Sequence, residues 1–429
     1  MTKPEFDFSI DTLGKCTIQS PMKGVRFVSD DEHMLYDSHS SKIMRCLEQG
    51  QELPAMELAG PREKIYFDPS KLKCGIVTCG GICPGVNDVI RSVVMSLYYH
   101  YGVKTIYGFP YGYEGLSWRH GHTPRELTPQ NVNIIHGTGG SILGTSRGPQ
   151  DIAEMVDTLE RMNVQMLFTI GGDGTLKGAG ALTTEIKQRG LKIAVIGIPK
   201  TIDNDISFID RSFGFETAVT EASKVTNSAH NEATGARNGI GLVKLMGRES
   251  GFIAAYSVLA DNNVNFCLIP ESPFSLEGLL SALRDRLNRR GHAVIVVAEG
   301  AGQDLMPKSC ETDASGNTRL CDIGIYLKEA LTWQFKELGI TVNLKYIDPS
   351  YTIRSVPATP HDSAFCLLLG HNAVHAGMSG RTNLVVGYRK GEFTHVPISL
   401  AVSERKRIDP EGWFWSTVLA STGQPRDLL

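Results

Sequence analysis

Long apolar runs are absent from this 429-residue chain, and no stretch approaches the roughly 20 residues that span a bilayer. Its opening residues, Met1-Thr2-Lys3-Pro4-Glu5, lack the apolar core of a secretion signal, and the closing Arg426-Asp427-Leu428-Leu429 is not a peroxisomal address. The cytoplasm is the expected compartment, with no membrane partner. A basic excess is missing too: 43 Lys+Arg stand against 46 Asp+Glu, which leaves no broad positive field for nucleic acid. A small anion site would not disturb that balance. The nine cysteines include no C-x-x-C pair, and an odd count points to reduced thiols rather than a disulfide framework. No repeat of solenoid period and no low-complexity tract occurs.

What is present is an alternation of short apolar runs and helix-length segments, on a chain too long for one ordinary core. The fold expected is α/β, with two doubly wound parallel-sheet domains, the active site in the cleft between them, and an N-terminal extension. The boundaries expected are 1–70 for the extension, 71–212 with 358–400 for one domain, and 213–357 with 401–429 for the other. The extension is read as wrapping a neighbouring surface, with a partly disordered tail as the alternative.

The pattern is organised around Phe168-Thr169-Ile170-Gly171-Gly172-Asp173-Gly174-Thr175 and Pro199-Lys200-Thr201-Ile202-Asp203-Asn204-Asp205. Each follows an apolar run, 166–170 and 193–198, and a helix-length stretch, 176–189, separates them. Such a βαβ unit brings both loops to the carboxyl edge of one parallel sheet. Glycines at 171, 172 and 174 allow main-chain N–H groups to close on a phosphate, helped by the positive end of the helix. Asp173 offers hard oxygen ligands for Mg²⁺, and Asp203 and Asp205 bring carboxylates to the same place. For Asp173 and Asp203 the alternative is a helix N-cap.

A second strand, 74–78, runs into Cys79-Gly80-Gly81-Ile82-Cys83-Pro84-Gly85 and a helix over 86–100, a further candidate anion cradle. Cys79 and Cys83 resemble a metal pair only loosely, and a structural role is preferred. The Gly/Ser-rich loop 139–148 ends in Arg147 and Gly148, where a guanidinium could fork onto phosphate, or could simply be solvated. Further on, a helix over 212–231 leads into strands at 240–245, 264–269 and 293–298, with helices at 250–260 and 276–290. The stretch 302–322 reads as a surface insertion, followed by a helix over 326–338. Residues 343–354, taken alone, read as a solvated Pro-bounded turn holding two cations. A helix over 363–377 and a strand over 382–388 complete the first sheet. His371 and His375 lie at i, i+4, and without an adjoining Glu they are assigned to packing rather than metal.

Taken together, Thr78-Cys79-Gly80-Gly81-x-x-Pro84-Gly85-x-Asn87, the 171–175 and 199–205 motifs, Met246-Gly247-Arg248, Glu299 and Tyr351-Thr352-Ile353-Arg354 closely resemble the 6-phosphofructokinase family. The resemblance runs from about Lys73 to about Tyr388. It implies that Asp203 is the base that takes the proton from the 1-hydroxyl of fructose 6-phosphate, with Lys200, Thr201, Asp205 and Arg248 completing the catalytic set. ATP would meet Gly81, Arg147, Gly148, Gly172, Asp173, Gly174 and Thr175, with Mg²⁺ on Asp173. The sugar phosphate would meet Thr201, Ile202, Asp203, Met246, Gly247, Arg248, Glu299, Lys345, Tyr351, Thr352, Ile353 and Arg354. Lys345 and Tyr351 stand where bacterial members carry arginine and histidine. Gly239 falls where those members place an arginine that reaches into a second subunit, with Arg237 as a possible substitute. The resemblance also implies a homo-oligomer, a tetramer or dimer, and an allosteric enzyme.

The family divides by phosphoryl donor. Pyrophosphate-dependent members place Asp where Gly174 stands, which would crowd and repel the α-phosphate of ATP. Lys200 is the residue of the pyrophosphate branch. Steric exclusion outweighs an added cation, so ATP is chosen, with pyrophosphate-dependent phosphotransfer as the alternative. NAD or lipid kinases share the Gly-Gly-Asp-Gly-Thr loop but not the 201–205 element. A regulatory subunit that kept the fold would be expected to have lost Asp173, Asp203 or Arg248.

Overall fold

The computed structural model describes residues 6–307, 311–312 and 318–429; the N-terminal pentapeptide and eight residues of the expected 302–322 insertion lie outside it. The chain forms two compact units. One takes the chain up to Thr201, then Ile206–Phe213 and Pro357–Glu404; the other takes Ile202–Asp205, Gly214–Val356 and Arg405–Leu429. Among the described residues no helix is long and apolar enough to cross a membrane.

The first unit is built on a seven-stranded sheet in the order Glu392–Pro397, Leu384–Arg389, Ala194–Pro199, Met166–Gly171, Lys73–Thr78, Thr105–Phe109, Arg125–Glu126. The five inner strands are parallel, and Met166–Gly171 and Ala194–Pro199 are buried throughout, which explains their unbroken apolar runs. Register pairs Thr78 with Ile170 and Pro199 with Gly171, so three strand ends finish level and their turns begin side by side. The sheet is not wholly parallel, as had been expected. Leu384–Arg389 does not end it, because a tight turn at Lys390 and Gly391, both with positive φ, folds Glu392–Pro397 back antiparallel at the edge. The helix expected over 86–100 is α-helical only to Met95 and continues as a π-turn over Ser96–Tyr101, stopped by Gly102 at φ 82°.

Residues 6–72 pack onto this unit rather than trailing from it. Asp11–Thr12 pairs with Arg381–Thr382, and the rings of Phe6, Phe8 and Tyr36 surround Phe208 at centroid distances of 5.1, 5.6 and 5.6 Å. Phe8 and Met56 are buried in the core, each contributing about 1.5–3 kcal/mol through lost apolar exposure. Glu57, Asp30 and Arg62 from the extension meet Arg381: Arg62 lies 2.9 Å from both Glu57 and Asp30, and Arg381 lies 2.7 Å from Asp30 and also pairs with Glu57. Burial opposes the charge of Glu57, yet the His395 ring 3.4 Å away and the Arg381 guanidinium hold its carboxyl well below the ordinary range. His375, one of the two histidines set aside as ligands, shares a 2.8 Å hydrogen bond with Tyr101, while His371 stacks edge-on to His100.

The second unit carries an all-parallel four-stranded sheet in the order Phe266–Leu268, His292–Ala298, Gly239–Leu245, Asn343–Ile347. Alternation splits its side chains between two cores. Val243, Leu245, Val294 and Val296 face Phe215–Thr234 and Phe252–Ala260, with Trp415 closing that side. Ile240, Leu242, Ile295 and Val297 face Leu276–Arg290 and Ile323–Glu337. Ser275 and Asp322 cap these last two helices through their side chains. Residues 343–354 correct the solvated-turn reading. Leu344 and Tyr346 pack into the core while Asn343 and Lys345 point outward, so the stretch forms an edge strand followed by the short helix Ser350–Arg354.

Candidate active site

In the first unit the level strand ends set three glycine-bearing turns side by side. The helix Asp173–Gln188 starts directly after its strand, with Gly172 as its first flanking residue. Its leading glycines are there for space. A Cβ at Gly171 would lie 2.1 Å from the Thr175 hydroxyl, and one at Gly172 would lie 3.2 Å from the Lys200 carbonyl. At Gly174 a Cβ would meet nothing within 4 Å, so open space adjoins that position. The positive end of this helix, at residues 173–175, suits an anion. Asp173 is the first helical residue, and its carboxylate lies 3.0 Å from Lys177 Nζ. The carbonyl of Thr175 accepts a 2.7 Å hydrogen bond from the Tyr113 hydroxyl.

The other loops are tied to the same edge. The Lys200 amide donates to the Gly171 carbonyl at 2.9 Å, and its buried ammonium donates to the Gly81 carbonyl at 2.6 Å. The Gly/Ser loop is fastened by Thr78 Oγ1 donating to the Gly144 carbonyl at 2.6 Å and by the Gly80 amide donating to the Ser146 carbonyl at 3.0 Å. Gly144, at φ 67°, lies against the Tyr111 ring, where a Cβ would approach to 2.8 Å. Arg147 follows on the exposed side, and Gly148 turns at φ 102°. Cys79 and Cys83 are both buried, and the Cys83 thiol meets the Phe213 carbonyl at 3.4 Å.

In the second unit the acidic residues converge. Asp203 caps no helix. Its Oδ1 is shut off from solvent and has no hydrogen-bond partner. Burial pushes this carboxyl well up, and the charges of Asp205 and Glu299 push the same way, against Arg405 and a main-chain hydrogen bond from Arg248. Asp205 is buried in an ion pair with Arg405, and its carbonyl accepts the Lys406 amide at 2.9 Å. Gly247, at φ 128°, carries the turn Met246-Gly247-Arg248, and its carbonyl accepts the Gly300 amide at 3.0 Å. A Cβ at Gly300 would strike the Arg248 carbonyl, so the two turns interlock. Glu299 is raised by burial, while Lys244, Arg248 and Arg354 draw it down. The Arg354 guanidinium lies 4.6 Å over the Tyr351 ring, and Arg248 donates to the Thr318 carbonyl.

Some expected ligands are placed differently. The side chain of Ile353 is buried in the core, so only its main chain can meet a ligand, and the Thr352 hydroxyl donates to the Pro349 carbonyl. Lys345 is exposed on the edge strand opposite Gly241. At Gly239 a Cβ would lie 2.1 Å from the Ala233 carbonyl, so an arginine cannot stand there. Arg405 and Lys244 escaped sequence reasoning. Arg405 sits in the charged run Ser403-Glu404-Arg405-Lys406-Arg407, which reads as a solvated face. Lys244 was the more legible of the two, as the one cation inside the apolar strand Gly239–Leu245.

Residues 73–377 match the family model for phosphofructokinase. The chain belongs to the phosphofructokinase family. It is 49% identical to the ATP-dependent 6-phosphofructokinase of Borreliella burgdorferi, over 98% of this chain and 97% of that protein. It is 46% identical to the Trypanosoma cruzi enzyme of the same name, over 90% of this chain and 81% of that one. Among solved structures, the pyrophosphate-dependent phosphofructokinase of Marinobacter aquaeolei superposes with a TM-score of 0.66 at 19% identity, over 79% of this chain and 86% of that one. The Pichia pastoris phosphofructokinase in the T-state gives 0.64 at 21% identity, over 82% and 37%. The structures share the fold, and the closer sequence relatives carry the ATP-dependent name.

Proposed function

We infer that this phosphofructokinase transfers the γ-phosphoryl group of ATP to the 1-hydroxyl of fructose 6-phosphate, giving fructose 1,6-bisphosphate and ADP in glycolysis. The observation that carries the acceptor chemistry is Asp203: an oxygen closed to water, without a partner, in a carboxyl raised by burial and by two neighbouring acids. A carboxylate of raised basicity accepts the hydroxyl proton as the oxygen–phosphorus bond forms and the bond to the β-phosphate bridge breaks. Arg248, Lys345 and Arg354 supply fixed cations for the 6-phosphate, and Glu299 accepts from sugar hydroxyls. Asp205 stays paired with Arg405, which leaves Asp203 as the group that takes the proton.

For the donor, the open space at Gly174 supports ATP over pyrophosphate, and the tethering of Lys200 to the Gly81 carbonyl engages the cation typical of the pyrophosphate branch. Main-chain amides at 172–175 and Arg147 hold the phosphates. The carboxylate of Asp173 is a hard oxygen donor that suits Mg²⁺, which when bound neutralises charge on the nucleotide phosphates. A homotetramer in the cytoplasm, under allosteric control, completes the reading. A coupled assay of the purified chain with fructose 6-phosphate, run with ATP and with pyrophosphate, tests it. Turnover with ATP is expected, turnover with pyrophosphate alone would transfer the chain to the other branch, and none with either donor would overturn the reading.

A further inference from the structure

Lys244 lies in the strand Gly239–Leu245 on the same face as Ile240 and Leu242, where an apolar residue would be expected. It is buried, and its ammonium reaches Asp322 Oδ2 at 2.7 Å and Asp348 Oδ2 at 2.8 Å. Each acid has a second task. Asp322 Oδ1 accepts the Ile325 amide at 3.1 Å, capping the helix Ile323–Glu337, and the Tyr346 hydroxyl at 3.2 Å. Asp348 Oδ1 accepts the amide of Ser350 at 3.1 Å and its hydroxyl at 2.5 Å, which sets the entry to the short helix Ser350–Arg354. Glu299, at the end of the neighbouring strand, also feels the lysine charge.

We propose that Lys244 is a positioning residue for sugar-phosphate binding: its ammonium, shared between Asp322 and Asp348, pins the start of the turn that presents Tyr351 and Arg354. This rests on the function proposed above. The turn is held at two points, Asp348 by Lys244 and Ile353 by the core, and the ligand-facing residues lie between or beside them. Without the lysine, Asp322, Asp348 and Glu299 are left as three acids sharing a partly buried space. Mutual repulsion then displaces Asp348 and, with it, the aim of Arg354. Arg354 itself stacks on Tyr351, and its charge acts on Glu299, one of the three acids that the lysine keeps apart.

The full-length chain tests this. Wild type is assayed first, and absence of fructose 6-phosphate turnover there sinks the functional reading, not the role of Lys244. With an active wild type, Lys244→Met is expected to raise the KM for fructose 6-phosphate roughly 10- to 30-fold, the scale of one lost charged hydrogen-bond contact. The KM for ATP and kcat should stay within about twofold, since the nucleotide residues lie in the other unit. Asp348→Asn should show the same signature more weakly. The double variant should be no worse than Lys244→Met, because both changes cut one link. Should Lys244→Met fail to fold, Asp348→Asn carries the KM test alone, as Asp348 is accessible and leaves Lys244 paired with Asp322. An unchanged sugar-phosphate KM, an equal rise in both KM values, or additive effects in the double variant would each overturn the proposal.

Discussion

Gly174→Asp separates donor choice from folding. A Cβ at this position meets no atom within 4 Å, and the backbone there is helical, so a side chain can start from it without strain. Residue 174 is in the first helical turn, where a carboxylate stabilises by about 0.3–1 kcal/mol, so the melting temperature should hold or rise slightly. The cost falls on the nucleotide. A carboxylate about 5 Å from the α-phosphate costs about 3 kcal/mol at an effective dielectric of about 20, and about 0.8 kcal/mol if water fills the gap. Loss of ATP kcat/KM on the order of 10²-fold is therefore expected, with roughly fourfold as the floor before steric crowding is added. Pyrophosphate has neither α-phosphate nor nucleoside, so any turnover with it should fall less, and the ATP-to-pyrophosphate ratio should drop. Steady-state kinetics with both donors, alongside thermal unfolding, measure this. ATP kinetics within twofold of wild type in a folded variant would refute the steric and charge argument.

Asp203→Asn should lower kcat by roughly 10²–10⁴-fold with little change in substrate KM, and a variant with full turnover would remove Asp203 from its role. Because the folded carboxyl titrates above its ordinary range, wild-type activity should fall as pH drops through that raised value, giving a kcat/KM profile an acid limb above the ordinary carboxylate range. Arg381→Met strips Glu57 of one buried partner while Arg62 stays on it, and should cost about 1–3 kcal/mol by denaturant unfolding. Glu57 has a depressed folded pKa, so its contribution is full above the ordinary carboxylate range and fades as pH falls below it. The gap between wild type and variant should accordingly narrow in acid.

The inner strands and their glycine turns were legible because parallel strands buried on both faces read as short unbroken apolar runs ending in turn residues. Even so, several helix starts slipped by two or three residues. The helix expected from Ser212 begins at Phe215, because Gly214 with φ 84° supplies the turn into it. The edge strand Asn343–Ile347 was hidden because Leu344 and Tyr346 pack on one core and Ile347 on the other, all only partly buried, and five such residues with Asn343 and Lys345 exposed look like a polar loop. The antiparallel return over Glu392–Pro397 depends on contacts that local pattern does not encode. At the site, carboxylates in short motifs could be found by spacing, whereas their partners could not. Arg405 meets Asp205 across 200 residues of sequence, and Lys244 meets Asp348 across more than 100.

The packing of residues 6–72 sets a limit on how the protein can be shortened. Trimming it to the stretch 73–377 would strip Phe8 and Met56 from one hydrophobic interior and Trp415 from the other, and would delete the strands Leu384–Arg389 and Glu392–Pro397. The segment matched by the family model is thus not a self-sufficient folding module. An expression fragment cut to it would present raw β-edges and greasy faces, and should collect in inclusion bodies rather than yield enzyme.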